Sequence, residues 1–274
     1  MTLPISPATR SVAVPGARLH YEVRGTGPLL LVIGSPMAAA DFAALADAMA
    51  SDHTVVTYDP RGIGASTIED WDQDSTPELR ANDVAAILDD LGAESADVFG
   101  SSGGAVTGLA LVARHPGRVR TLIAHEPPLL ELLPDAAQQR ANTQDIIDTY
   151  RTDGMQAAWF KFMANAGFDM PAGDDDAMPM PQEPSEQERR EAARFFNHEL
   201  AHTTQYLPNV PALTSGTSRV VVGLGADSSH LLTHRTSTTL AERLGTGPAL
   251  FPGDHTGFLE DPVGFADALR HMLS

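Results

Sequence analysis

Short apolar runs rich in β-branched residues alternate with helix-period segments along much of the 274-residue chain. These runs predict strands at 28–33, 54–58, 96–100, 120–125, 219–224 and 249–251. The clearest helix follows Thr76 and Pro77, a capping hydroxyl and a first-turn proline. Its apolar face recurs at Val84, Ile87 and Leu91. Strands that alternate with helices form parallel crossovers, so the pattern predicts an α/β fold with a mostly parallel sheet covered by helices on both faces.

The alternation stops after the fourth predicted strand and resumes with the fifth. The sequence between them predicts helices at Asp135–Tyr150, Met155–Ala166 and Glu186–Tyr206. The segment 169–184, rich in proline and aspartate, separates the last two helices and is typical of a surface loop. We therefore expect a single core, formed by residues 1–126 and 212–274, with a helical cap of residues 127–211 inserted into it.

A serine in a strand-to-helix turn is the strongest chemical signal in the chain. Ser102 is the centre of a G-x-S-x-G pattern, Gly100-Ser101-Ser102-Gly103-Gly104. A nucleophile on so sharp a turn has a strained backbone and close neighbours, so small residues are needed on both sides. The turn also places the serine at a helix N-terminus, where free backbone N–H groups favour a developing oxyanion. Glycine-rich turns often carry this pattern by chance, but the strand before it and the helix after it predict that Ser102 is a nucleophile.

A serine nucleophile needs a base, and His255 is the best placed of the ten histidines. It lies in a loop between the last predicted strand and the C-terminal helix. The nucleophile comes first and the histidine lies near the C-terminus, which is the chain order that α/β-hydrolases use. We therefore predict that His255 is the general base that deprotonates Ser102.

With these residues the sequence resembles the α/β-hydrolase superfamily over nearly the whole chain outside the predicted cap. Residues 59–66, DPRGIGAS, match the family's D-x-R-G-x-G-x-S turn, and Ile33-Gly34-Ser35-Pro36 lies where the family usually has H-G-x-P. The resemblance implies that the backbone N–H groups of Ser35 and Gly103 form an oxyanion hole. It also implies that the cap is inserted after the sixth strand of the family's sheet. Ile33 departs from the usual histidine and leaves the anchoring of this loop unexplained.

The resemblance offers two candidates for the acid that orients His255. The family usually takes an acid from the loop after its seventh strand, and Asp227 lies in that loop, one residue earlier than usual. Some members, including some haloalkane dehalogenases, take a glutamate after the sixth strand, where this chain has Glu126 followed by two prolines. Either carboxylate can orient the histidine and stabilise its imidazolium. We favour Glu126 and keep Asp227 as the alternative.

One pattern points to a different chemistry. His198-Glu199-Leu200-Ala201-His202 is a literal H-E-x-x-H on a predicted helix, the spacing that puts two imidazoles on one face as zinc ligands. A catalytic zinc needs a third protein ligand, but Gln205 stands where the metzincin pattern has glycine. Neither aspartate nor glutamate occurs between His202 and Asp227 to supply a ligand downstream. We expect no metal here and interpret the pattern as a chance occurrence on a polar helix.

Composition disfavours several classes of function. The formal net charge of −18 repels phosphate backbones and anionic lipid headgroups, so we expect neither nucleic acid nor a membrane as a partner. The chain has no cysteine, which excludes a thiolate nucleophile, a disulfide framework and a zinc ribbon. The longest apolar run, Leu29–Ile33, is far shorter than the roughly 20 residues that span a bilayer. We expect a cytoplasmic protein that acts on a small molecule, and its oligomeric state stays open.

These features predict a cofactor-independent serine hydrolase that cleaves a carboxylic ester or lactone through an acyl-enzyme on Ser102. The acidic segment 169–184 favours a neutral or cationic, largely apolar substrate. The same triad supports carbon–carbon bond hydrolysis and cofactor-free perhydrolysis, which are alternatives. A further alternative is a ligand-binding or cyclase member of the fold that has lost hydrolysis.

Overall fold

A twisted nine-stranded sheet forms the centre of the computed structural model, which describes residues 7–169 and 183–274. Its strands are β1 (Ala8–Val14), β2 (Ala17–Arg24), β3 (Leu29–Ile33), β4 (Thr54–Tyr58), β5 (Thr67–Ile68), β6 (Ala96–Ser101), β7 (Val119–His125), β8 (Arg219–Gly225) and β9 (Ala249–Phe251). They lie in the order β1-β2-β4-β3-β6-β7-β8-β9, and β5 pairs with β2. Every pair that involves β2 is antiparallel, and the other pairs are parallel. The sheet is therefore mostly parallel, as the sequence predicts.

The structure contains an antiparallel hairpin, β1 and β2, that the sequence patterns did not predict. In β2, Leu19 and Tyr21 are fully buried, whereas the residues that follow each of them, His20 and Glu22, are partly exposed. Such a strand buries one face and needs an apolar residue at every second position. It therefore lacks the continuous apolar run by which the central strands were predicted.

Helices connect the strands and cover the sheet. Within the described residues they are α1 (Ala43–Met49), α2 (Pro77–Asp90), α3 (Gly103–Arg114), α4 (Ala136–Asp153), α5 (Met155–Ala166), α6 (Glu186–Arg194), α7 (Leu200–Thr204), α8 (Val210–Ser215), α9 (Leu232–Arg243), α10 (Gly257–Glu260) and α11 (Pro262–Leu273). A π-helical turn, Phe195–Glu199, joins α6 to α7. Helix α2 begins as predicted, because the Thr76 hydroxyl oxygen accepts a hydrogen bond of 3.2 Å from the Leu79 N–H. In the part of the chain that the structure describes, no helix is long and apolar enough to cross a membrane.

Alternate residues of the central strands bury the two faces of the sheet. In β6, Val98 packs into the cluster that α2 and α3 cover, and Leu122 of β7 joins it there. The next residues along these strands, Phe99 and Ile123, pack into the opposite cluster beneath α1 and α11. Burial on both faces explains why these strands read as continuous apolar runs.

Helices replace the strand alternation between β7 and β8. Helix α5 has the predicted bounds, α4 extends to Asp153, and the predicted helix at 186–206 is divided by the π-helical turn and ends at Thr204. These helices share an apolar cluster of their own, in which Trp159 stacks on Phe195 with ring centroids 5.0 Å apart. The insertion follows β7, which is the sixth strand of the family's count because β5 is an additional strand of two residues.

The boundaries of the cap at 127–211 stay a prediction. Helix α8 spans the predicted boundary, and its Leu213 packs into the core cluster beside α3. Most of the predicted loop at 169–184, namely residues 170–182, lies outside the described residues.

The turn from β6 into α3 packs against the end of β3 with no space for side chains. A methyl group added at Gly104 would lie 2.1 Å from the carbonyl oxygen of Ile33. One added at Gly100 would lie 2.6 Å from the carbonyl oxygen of Gly104. Both distances are far inside van der Waals contact with backbone atoms, so packing requires the two glycines of the G-x-S-x-G pattern.

Replacing Gly104 with alanine is expected to destabilise the protein by about 3 kcal/mol, because the backbone must shift to relieve the clash. Gly247→Ala is the matched control, since a methyl group there meets no atom within 4 Å, and its effect should stay within about 0.5 kcal/mol. Urea-induced unfolding measures both free energies. A Gly104→Ala variant as stable as the wild type would contradict the packing explanation.

Candidate active site

Ser102 lies at the turn between β6 and α3, where the sequence predicts a nucleophile. Its backbone has φ 55° and ψ −122°, a conformation that residues with a side chain rarely adopt. The Ser102 N–H donates a 2.9 Å hydrogen bond to the carbonyl oxygen of His125, which holds the turn against the end of β7. The Ser102 carbonyl accepts from Ala105 and Val106 in the first turn of α3. The strained turn thus presents the serine at the carboxyl edge of the sheet.

The two residues of the predicted oxyanion hole are close neighbours. A methyl group added at Gly103 would lie 2.5 Å from the carbonyl oxygen of Ser35 and 3.1 Å from its Cβ. In the part of the chain that the structure describes, neither backbone N–H has a hydrogen-bond acceptor. Two unpaired N–H groups beside Ser102 are what an oxyanion hole requires.

Glu126 is the carboxylate that the structure brings to His255. It follows β7 directly, has φ 49° and is completely buried. Its Oε2 lies 2.7 Å from Nδ1 of His255 and accepts a second hydrogen bond of 2.7 Å from the Thr233 hydroxyl. Its Oε1 accepts from the Gly225 N–H at 2.9 Å. Hydrogen bonds to both oxygens fix the direction in which the carboxylate faces the imidazole.

Asp227 lies elsewhere. Its side chain is exposed, and its backbone N–H donates to the carbonyl oxygen of Gly253 at 2.9 Å. Among the described residues, no hydrogen bond or ion pair joins its carboxylate to His255. The chain turns immediately after β8 ends at Gly225, which directs Asp227 to the surface. The geometry therefore favours Glu126 over Asp227 as the acid, and the catalytic roles stay predictions.

The hydrogen bonds keep the Glu126 carboxylate ionised although it is buried. Burial by itself raises the pKa of Glu126, but the hydrogen bond from His255 and the positive charges of the His125 and His255 imidazoles when protonated outweigh it and lower the pKa to about 2. An ionised acid at Nδ1 holds the N–H of His255 on that side of the ring. Nε2 is then the atom that can accept a proton.

His125 is a residue of this site that the sequence analysis did not single out. It is completely buried, and its ring lies parallel to that of His255 with centroids 6.1 Å apart. Nδ1 lies 3.1 Å from the Ser101 hydroxyl, and Phe99 and Phe265 pack against the ring edge. Burial lowers the pKa of His125 to about 4, so the imidazole is neutral at pH 7. A polar residue at the end of a buried strand was the one available signal for it.

The H-E-x-x-H residues have other partners in the structure. His198 and His202 both face Asp74, with nitrogen–oxygen distances of 3.1 and 3.2 Å. Glu199 points the other way, is 2% exposed and accepts a hydrogen bond from the Ser35 hydroxyl. Among the residues described, no group of three or more histidine, aspartate or glutamate side chains is arranged to hold a metal ion.

The D-x-R-G-x-G-x-S turn has a structural role. Asp59 accepts hydrogen bonds of 2.8 Å from the backbone N–H groups of Ala39 and Ala65. The buried guanidinium of Arg61 pairs with Asp83 of α2 at 2.5 and 2.7 Å. These contacts hold together the loops that follow β3 and β4 and so support the segment that carries Ser35.

A cavity of about 250 Å³ lies between the loop after Ser35 and the inserted helices. Its lining residues are Pro36, Ile63, Met155, Trp159, Glu188, Glu191, Ala192 and Phe195. The lining is apolar except for the two glutamates. The size suits a small organic group rather than a polymer.

Comparison with known proteins identifies the family to which the chain belongs. A family model described as alpha/beta hydrolase fold matches residues 27–159. The uncharacterized hydrolase YraK of Bacillus subtilis is 32% identical over 273 residues, which cover 96% of this chain and 95% of that protein. The chain belongs to the α/β-hydrolase superfamily. It is a hydrolase, and the fold that its sequence resembles is confirmed.

Solved structures agree with this α/β-hydrolase in fold. A thermophilic esterase from Thermogutta terrifontis matches with a TM-score of 0.72 and 19% identity, covering 98% of each chain. The enol-lactonase from Burkholderia xenovorans LB400 matches with a TM-score of 0.69 and 20% identity, covering 96% of this chain and 99% of that one. At these identities the likeness establishes the architecture alone, and the substrate has to be inferred from the geometry of the site.

Replacing Glu126 with glutamine is expected to lower kcat by about 10³–10⁴-fold, because the amide stabilises the wrong tautomer of His255 and gives its imidazolium no charge partner. Asp227→Asn is the matched control and should change kcat by less than about threefold, because substitutions of exposed side chains have small effects. Steady-state hydrolysis of p-nitrophenyl acetate measures both. A large loss in Asp227→Asn with a near-normal Glu126→Gln would reverse the assignment.

The lowered pKa of Glu126 also predicts a pH dependence of stability. The folded-state value of about 2 lies below the unfolded value of about 4.3, so the ionised carboxylate stabilises the protein above about pH 4.3. That contribution, on the order of 3 kcal/mol, is lost as the pH falls towards 2. Urea unfolding of wild type and Glu126→Gln from pH 7 down to acid should show a difference that shrinks with pH. A difference that stays constant would contradict this assignment of the charge.

Proposed function

We propose that this hydrolase cleaves carboxylic esters or lactones of small, largely apolar molecules through an acyl-enzyme on Ser102. The observation that carries the proposal is the 2.7 Å hydrogen bond between Nδ1 of His255 and the buried carboxylate of Glu126. It gives the histidine the orientation and tautomer of a general base. The strained turn at Ser102 and the neighbouring Ser35 and Gly103 supply the other parts of the same machinery.

These positions support the following mechanism. Nε2 of His255 takes the hydroxyl proton of Ser102 as its oxygen attacks the acyl carbon, and Glu126 stabilises the imidazolium that forms. The backbone N–H groups of Ser35 and Gly103 bind the oxyanion of the tetrahedral intermediate. His255 then protonates the leaving alkoxide. Finally it takes a proton from a water molecule as the water oxygen attacks the acyl carbon, and it returns that proton to the Ser102 oxygen as the ester bond breaks and the acid leaves.

The cavity and the charge of the chain support the substrate class. Met155, Trp159 and Phe195 give the cavity an apolar wall that suits a small hydrocarbon or aromatic group. Glu188 and Glu191 at the same cavity, together with the net charge of −18, disfavour an anionic substrate. The names of two structural neighbours, an esterase and an enol-lactonase, are consistent with acyl–oxygen cleavage.

Labelling with a fluorophosphonate probe, read by intact mass, is expected to give one adduct on the wild type and none on Ser102→Ala. Ser101→Ala is the matched control, because Ser101 is the adjacent serine and its hydroxyl is occupied by a contact of 3.1 Å with the buried His125 imidazole. That variant should still take up one probe. An unlabelled wild type, or labelling that survives in Ser102→Ala, would overturn the proposal.

A further inference from the structure

A buried carboxylate of the inserted helices contacts the oxyanion loop. Glu199 is the last residue of the π-helical turn between α6 and α7, and Oε1 of its side chain accepts a hydrogen bond from the Ser35 hydroxyl. Both residues are buried, with 2% and 3% of their surfaces exposed. Interruptions of this kind in a helix are frequent at functional sites, because they re-aim a side chain. Neither the general base nor the nucleophile uses Glu199.

Arg80 links this carboxylate to the other half of the oxyanion hole. Its Nη1 lies 3.8 Å from the same Oε1 of Glu199, and the arginine is completely buried. Its Nε donates a 2.9 Å hydrogen bond to the Thr107 hydroxyl. That hydroxyl in turn donates to the carbonyl oxygen of Gly103 at 3.0 Å. One continuous set of polar contacts therefore joins Ser35 to Gly103 behind the site.

We propose that Glu199 and Arg80 are positioning residues that fix the two donors of the oxyanion hole relative to each other. The positions of these donors then depend on how the inserted helices pack against the core. Glu199 holds Ser35 from the inserted helices, and Arg80 holds Gly103 through Thr107. Arg80 is also fixed to the inserted helices, because its Nη2 donates to the Thr203 hydroxyl of α7 at 2.9 Å.

This arrangement explains the anchoring of a loop that lacks the family's usual histidine. Ile33 stands in the place of that histidine and is buried in the apolar cluster beneath α2 and α3, where its side chain makes no hydrogen bond. The hydroxyl of Ser35 therefore provides the polar anchor, and its acceptor comes from outside the core sheet. Oxyanion stabilisation needs donors held to a fraction of an ångström, so such an anchor affects the rate.

The charge balance around Glu199 suits this role. Three buried guanidinium groups, of Arg61, Arg80 and Arg194, face two buried carboxylates, of Asp83 and Glu199. Asp59 is a third buried carboxylate in this region, so the positive and negative charges balance. A developing oxyanion at Ser35 and Gly103 therefore meets no net negative charge from behind, although a carboxylate accepts a hydrogen bond from the Ser35 hydroxyl.

The inference rests on the proposed serine-hydrolase function, and four variants test it. Ser35→Ala removes the hydroxyl but keeps the backbone N–H, and Glu199→Leu removes the acceptor. Glu199→Gln keeps an oxygen that can accept from Ser35. Asp135→Asn is the control, because it breaks an exposed ion pair of 2.6 Å between Asp135, just before α4, and Arg235 of α9, a pair that is separate from the contacts of Ser35 and Glu199. Measurements are kcat and KM for p-nitrophenyl acetate and the Ki of an aryl trifluoromethyl ketone, which forms a tetrahedral oxyanion on the serine.

Ser35→Ala and Glu199→Leu should each lower kcat about tenfold, less than the loss of a whole oxyanion donor. KM should change less than twofold, and Ki for the ketone should rise by the factor by which kcat/KM falls, because the interaction is made in the transition state. The double variant Ser35→Ala/Glu199→Leu should be no slower than the slower single variant within about twofold, since both act through one contact. Glu199→Gln should recover most of kcat. Asp135→Asn should change neither kcat nor Ki.

Thermal unfolding and the extent of fluorophosphonate labelling give the folded, active fraction of each variant. Should Glu199→Leu not fold, Ser35→Ala and Glu199→Gln still decide the question. An unchanged kcat and Ki in Ser35→Ala, or losses that multiply in the double variant, would overturn the positioning role while wild-type labelling at Ser102 continues to support the hydrolase. A wild type that takes up no probe would instead remove the proposed function, and this inference with it.

Discussion

The hydrogen bond between Glu126 and His255 is the contact on which the arrangement of the site depends. The carboxylate follows β7, the imidazole follows β9, and the Gly225 N–H at the end of β8 binds the other carboxylate oxygen. A buried carboxylate without partners would cost several kcal/mol, roughly the net stability of many domains. The three segments therefore have to converge on Glu126, and their convergence fixes the position of the His255 imidazole.

A steric constraint acts beside this electrostatic one. The turn at Ser102 crosses the end of β3 so closely that Gly104 has no space for a methyl group. The same close approach brings Gly103 against Ser35, so the predicted nucleophile and both predicted oxyanion donors are placed by backbone packing. The contacts of Arg80 and Glu199 then extend this placement to the inserted helices.

Periodic patterns predicted the central strands, the start of α2 and the helices of the insertion, because both faces of the sheet and one face of each helix are apolar. Chain order and local motif predicted the positions of Ser102 and His255. The hairpin of β1 and β2 escaped prediction because an antiparallel strand such as β2 buries one face and carries polar or charged residues on the other. Thr233 and His125 gave no motif, since their roles arise from contacts across the sheet edge.

The sequence by itself determined the kind of fold and the sharp turn that carries Ser102, the predicted nucleophile, because apolar periodicity and the small residues of such a turn are local properties. It left Glu126 and Asp227 as alternatives and interpreted Glu199 as part of a chance pattern. The tertiary structure distinguishes the two carboxylates by their surroundings. The end of β7 buries Glu126 beside His255, and the turn after β8 exposes Asp227 to solvent. The direction of a carboxylate depends on which distant backbone and hydroxyl groups surround it, and those neighbours exist after the chain has folded.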